Sequence, residues 1–69
     1  MKINWVDNST ISTRIEDGAV VLSANKEGLF SLARIIVDMA SADINDHIHL
    51  DENNSLEDGS VELIIERID

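Results

Sequence analysis

The chain has 69 residues with 14 acidic and 5 basic side chains, a formal net charge of −9, and neither cysteine nor proline. Without cysteine it has no disulfide framework, no thiolate metal site and no cysteine nucleophile. Phosphate contacts need clustered Lys and Arg, whereas Lys2, Arg14, Lys26, Arg34 and Arg67 are scattered, so neither nucleic acid nor an anionic membrane is an expected partner.

Met1–Val6 alternates loosely, with Met1, Ile3 and Trp5 on one face, and reads as a strand or as the start of a bent first strand. Asp7-Asn8-Ser9 is a turn signal. Ile11–Glu16 alternates more clearly, with Ile11, Thr13 and Ile15 facing one way and Ser12, Arg14 and Glu16 the other. Asp17-Gly18 is a preferred tight-turn pair because both residues tolerate positive φ. The β-branched run Ala19–Ala24 follows, so a hairpin is expected over roughly residues 10–24.

Asn25 is a good helix N-cap, and Glu27 sits in the first turn, where negative charge suits the helix dipole. Leu29, Leu32, Ala33, Ile36, Val37 and Ala40 recur at helical spacing and predict one apolar stripe on a helix reaching about 39–42. Phe30, Ile35 and Met39 fall off the centre of that stripe. They imply either a wide contact with the sheet or a second buried surface, such as a homodimer interface. After a polar break at 43–46, His47–Asp51 alternates strictly with Ile48 and Leu50 inward. Residues 52–60 form a loop with Asn53-Asn54 and Asp58-Gly59 as turn signals. Val61–Ile68 is the last strand, its core face Val61, Leu63 and Ile65.

The expected fold is α+β: a two-layer sandwich in ββαββ order, with one helix packed on a single, mostly antiparallel sheet. One domain over 1–69 is expected, with a small core, because a chain of this size buries only about 60% of its unfolded surface. A 43% apolar content with ten isoleucines favours a folded core over disorder. No apolar run approaches the roughly 18 residues of a membrane span. Met1–Trp5 has no long apolar segment behind Lys2, so the expectation is a cytoplasmic protein.

His47-x-His49-x-Asp51 places two imidazoles and a carboxylate on one strand face, donors that suit zinc. A polar outer face accounts for the same pattern, and no fourth ligand is evident, so no metal or other cofactor is expected. Counted from Asp51, the positions Asn53, Ser55, Glu57 and Glu62 match a calcium loop, but Leu56 stands where the sharp turn needs glycine. No nucleophile elbow and no glycine-rich phosphate loop is present, and so small a domain has little room for an enzyme pocket. Binding is expected, not catalysis.

Charge is unevenly placed. Residues 1–42 hold five acids and four bases, while residues 43–69 hold nine acids and one base. Asp51, Glu52, Glu57 and Asp58 lie within eight positions of one loop, beside Asn53 and Asn54. Concentrated charge of one sign accelerates association with a partner of the other sign. A nuclease, with a positive groove for phosphate, is one such partner.

The run from Ser23 to Ala33, the segment His47-Ile48-His49-Leu50-Asp51 with its continuation to Ser60, and Glu62-Leu63-Ile64-Ile65 together resemble a family of small bacterial immunity proteins. The likeness covers about Ser23 to Ile65. It implies an inhibitor that binds and neutralises a cognate toxin of a polymorphic toxin system. On that reading Asp51, Glu52, Glu57 and Asp58 supply complementary charge and Asn53 and Asn54 supply hydrogen bonds. The alternatives are a homodimeric structural or regulatory module and, third, a small metal-binding protein using His47, His49 and Asp51.

Overall fold

The computed structural model describes residues 5–69. Most of the first expected strand lies outside that range, and Trp5 and Val6 are irregular. Strands β1 (Ile11–Glu16) and β2 (Ala19–Ala24) form an antiparallel hairpin in register from Ile11↔Ala24 to Glu16↔Ala19. Asp17 and Gly18 close it at φ 50° and 81°. Positive φ at both central residues gives the turn whose twist matches the strands.

Asn25, with extended backbone, then caps helix α1 (Lys26–Ala40). Its side-chain oxygen accepts from the N–H of Gly28 at 2.7 Å and of Thr10 at 3.0 Å, and its amide donates to the Asn8 carbonyl at 2.8 Å. One side chain therefore starts the helix and ties it to the segment entering β1. The helix ends at Ser41, whose N–H turns back to the Asp38 carbonyl at 3.0 Å. Strands β3 (His47–Leu50) and β4 (Leu63–Glu66) pair antiparallel, from His47↔Glu66 to Leu50↔Leu63.

The ββαββ order and the two-layer α+β arrangement hold, but the strands form two two-stranded sheets where one was expected. A seam joins them. The Glu57 N–H donates to the Ile11 carbonyl at 2.8 Å and the Val61 N–H to the Thr13 carbonyl at 3.2 Å. The Thr13 N–H donates to Ser60 Oγ, and its hydroxyl donates to the Val61 carbonyl. Both segments run the same way, but the advance from Ile11 to Thr13 is matched on the other side by the longer stretch from Glu57 to Val61. The excess, with Gly59 at φ 87°, breaks the ladder into separate bonds.

Ile11, Leu32, Leu50 and Leu56 form the core, with Trp5, Ala24, Ile48, Leu63 and Ile65 packed against it. Burying each large aliphatic side chain contributes roughly 1.5–3 kcal/mol. The predicted helix stripe is displaced. The buried positions are Gly28, Ser31, Leu32, Ile35 and Met39, whereas Leu29, Ile36 and Val37 are exposed. Ile15, expected in the core, lies near the uncovered hairpin tip at 63% exposure, and Val61 also reaches the surface.

Candidate partner-binding surface

The loop between β3 and β4 is braced from within. The Asp51 carbonyl accepts from the N–H groups of Asn54, Ser55 and Leu56, at 3.3, 3.1 and 2.8 Å. The Asp51 carboxylate accepts from the Asn53 N–H at 2.9 Å, an Asx-turn contact. Asn54 returns across the base: its oxygen accepts from the Asp51 N–H at 3.0 Å and its amide donates to the His49 carbonyl at 2.9 Å. A Glu52 carboxylate oxygen accepts from the Gly59 N–H. Leu56, surrounded in sequence by polar residues, is buried in the core and pins the loop to the body.

The six candidate binding residues thus fall into two groups. Asp51, Glu52 and Asn54 each commit side-chain atoms to the shape of the loop, and the Asn53 backbone is held with them. Glu57 and Asp58 are exposed and make no side-chain hydrogen bond or ion pair among the described residues. The described charged contacts are the Arg14–Glu16 ion pair and the His49–Glu62 hydrogen bond, so no cation among the described residues pairs with the loop acids. Arg67, the one base of the second half, donates to the carbonyls of Ala42 and Asp69.

His47 and His49 share the outer face of β3, their rings edge to face with centroids 4.9 Å apart. His49 Nδ1 lies 2.9 Å from Glu62, and the Asp51 carboxylate is engaged by the Asn53 N–H. Among the described residues no three His, Asp or Glu side chains converge to hold a metal ion, so the His47, His49 and Asp51 set is not assembled. No described helix is long and apolar enough to cross a membrane.

A second surface feature has the opposite chemistry. Between α1 and strands β2 and β4 lies a cleft of about 470 Å³ lined by Leu22, Leu29, Leu32, Ala33, Ile36, Leu63 and Ile65. Of the three residues off the stripe, Ile35 and Met39 are 2% and 5% exposed and belong to the interior, so a homodimer interface through them needs correction, whereas their burial within the fold agrees with a wide helix contact. Phe30 is exposed, in company with Leu29, Ile36 and Val37. Sequence periodicity missed this cleft because it assigned the cleft's helix residues to the core. It also passed over Leu56, for which an isolated leucine in a polar loop was the available signal; alternation puts Thr13 on the Ile11 face but does not reveal its bonds to Ser60 and Val61.

The sequence model of one protein family, Immunity protein 32, matches residues 19–68, from β2 through the last strand. Neither a curated protein nor a solved structure matches the chain.

Proposed function

The chain belongs to the Immunity protein 32 family and has the toxin-neutralising role of an immunity protein; we propose that it binds a basic toxin surface with the acidic 51–58 loop. The supporting observation is a braced loop whose acids pair with no cation among the described residues. A stiff loop loses little conformational freedom on docking, and its uncompensated carboxylates raise the rate at which a positive partner is captured. Glu57 and Asp58 make the primary charge contacts. Asp51, Glu52, Asn53 and Asn54 hold the loop in shape and present their remaining polar atoms at its rim.

A nuclease fits this reading, because its phosphate-binding groove is a basic concavity that an acidic projection occludes. Inhibition is by occupancy, without chemistry on the toxin and without a cofactor, and it takes place in the cytoplasm. The test is binding kinetics against the cognate toxin, at two salt concentrations, for the wild type and for Glu57→Gln combined with Asp58→Asn. The double variant should associate more slowly and with a shallower dependence on ionic strength, because rim charges act mainly on association. Identical rates and identical salt slopes would place the binding surface elsewhere.

A further inference from the structure

Among the described residues, two apolar surfaces on one side of the molecule lack a cover. The inner face of the first hairpin continues past the core to its tip, where Ile15, Val20 and Leu22 are 63%, 67% and 38% exposed. Beside it, across the cleft, the outer flank of α1 presents Leu29, Phe30, Ile36 and Val37, each more than half exposed. Among the described residues, no helix covers this end of the hairpin and no strand packs on this outer helix flank.

We infer that a second copy of this chain docks here, the α1 flank of each protomer lying on the open hairpin face of the other about a two-fold axis. Three observations favour this occupant. First, the surface is self-complementary in kind, as an isologous interface requires: each protomer offers the helix that the other's sheet end needs. Second, these seven side chains expose together on the order of several hundred Å². That is at or above the roughly 300–600 Å² of the largest patch on typical monomers, and near the roughly 800 Å² that each partner contributes to a standard interface.

Third, charge separates this face from the one proposed for the toxin. From Gly28 to Val37 the helix carries no acid and a single base, Arg34, and the inner-face positions Ile15, Val20 and Leu22 are uncharged. Two chains of net charge −9 repel when acidic surfaces meet, but here no acidic surfaces face one another. A basic partner gains nothing from this face and is drawn to the loop instead. Self-association and toxin capture therefore use different surfaces, and both can operate at once.

The experiment is sedimentation or light scattering of the full chain from low to several hundred micromolar, at moderate salt that screens the net charge. The expected mass is twice 7.6 kDa at the upper concentrations. Ile36→Glu and Val20→Lys, both at exposed positions, should each give a folded monomer by circular dichroism. An equimolar mixture of the two should recover a 1:1 dimer, because a Glu on one helix then meets a Lys on the other's hairpin. Toxin binding by Ile36→Glu should stay unchanged, a result that is independent of whether the acidic loop is the toxin site. A wild type that stays monomeric throughout the range overturns the inference, as does a dimer that ignores both substitutions. Loss of toxin binding by a folded Ile36→Glu assigns the cleft to the toxin and likewise overturns it.

Discussion

Ile35 and Ile36 are neighbours in sequence, yet Ile35 is 2% exposed and Ile36 is 56% exposed. They mark the two flanks of α1. The buried flank runs through Gly28, Ser31, Ile35 and Met39, and the open flank through Leu29, Ala33 and Ile36. By hydropathy alone the open flank is the better core candidate, because the buried one contains a glycine and a serine. Specific contacts decide against hydropathy here. Ser31 Oγ accepts from the Val6 N–H at 2.9 Å, lies 2.8 Å from the Ser9 hydroxyl, and donates to the Glu27 carbonyl at 3.1 Å. Gly28 lets the Thr10 backbone approach closely. The chain entering β1 is therefore fixed to one flank of the helix, and the other is left without a cover.

The largest effect that separates the flanks comes from placing the same charge on each. Ile35→Glu puts a carboxylate into the interior with no partner, and the group must either ionise there or be held neutral at a cost. A loss of more than about 4 kcal/mol is expected, close to the whole stability of a small domain. Ile36→Glu, one residue on, should change monomer stability by less than about 1 kcal/mol. Urea denaturation of both variants at low micromolar concentration makes the comparison. Equal losses would mean that the two flanks are equally packed.

Gly28→Ala probes the close approach itself. On helix propensity the change should stabilise by about 1 kcal/mol. An added Cβ, however, would sit 2.6 Å from the Thr10 carbonyl oxygen and 3.0 Å from both Asn25 Oδ1 and Ile11 Cγ1. The nearest of these is backbone, which cannot rotate away. Overpacking of this kind typically costs about 1–3 kcal/mol, so a net destabilisation is expected. A higher midpoint for Gly28→Ala would show that the Thr10 segment yields and that the approach does not define the flank.

These two positions also show what the sequence could and could not reveal. Asp17-Gly18 and Asn25 were legible because their chemistry is local: positive φ at a two-residue turn, and a side-chain oxygen two to three residues before the N–H it caps. The alternation of His47–Leu50 was legible for the same reason. Which helix flank is buried depends on contacts from residues 6–11, more than fifteen positions away, and no helical period encodes it. The seam between the hairpins was equally hidden, because Thr13 reaches Ser60 and Val61 across most of the chain. At the candidate site, the acids were readable as a charge run. Their division into bracing and available groups depends on hydrogen bonds that composition does not carry.

That division supports the smallest and most exacting test. Asp51 and Asp58 are the same residue type on one loop, seven positions apart, and a surface-charge argument treats them alike. The Asp51 carboxylate accepts the Asn53 N–H at 2.9 Å, at the corner where the chain leaves β3. Asp58 makes no comparable contact among the described residues. Removing the Asp51 side chain leaves an N–H that water satisfies only in part, and it frees the turn that Leu56 and Asn54 help to hold. A net hydrogen bond of this sort contributes about 0.5–1.5 kcal/mol, so Asp51→Ala should lower stability by about 1 kcal/mol. Asp58→Ala should stay within about 0.5 kcal/mol of the wild type, and relief of repulsion from Glu57 pushes it toward the stabilising side. Toxin binding should rank the two in the reverse order of directness. Asp58→Ala should slow association while the free protein is unperturbed, whereas Asp51→Ala should weaken binding through a loosened loop, with a faster dissociation rate. Equal stability losses would make the bracing contact inconsequential and return Asp51 to the charge run; equal association defects would do the same on the binding side.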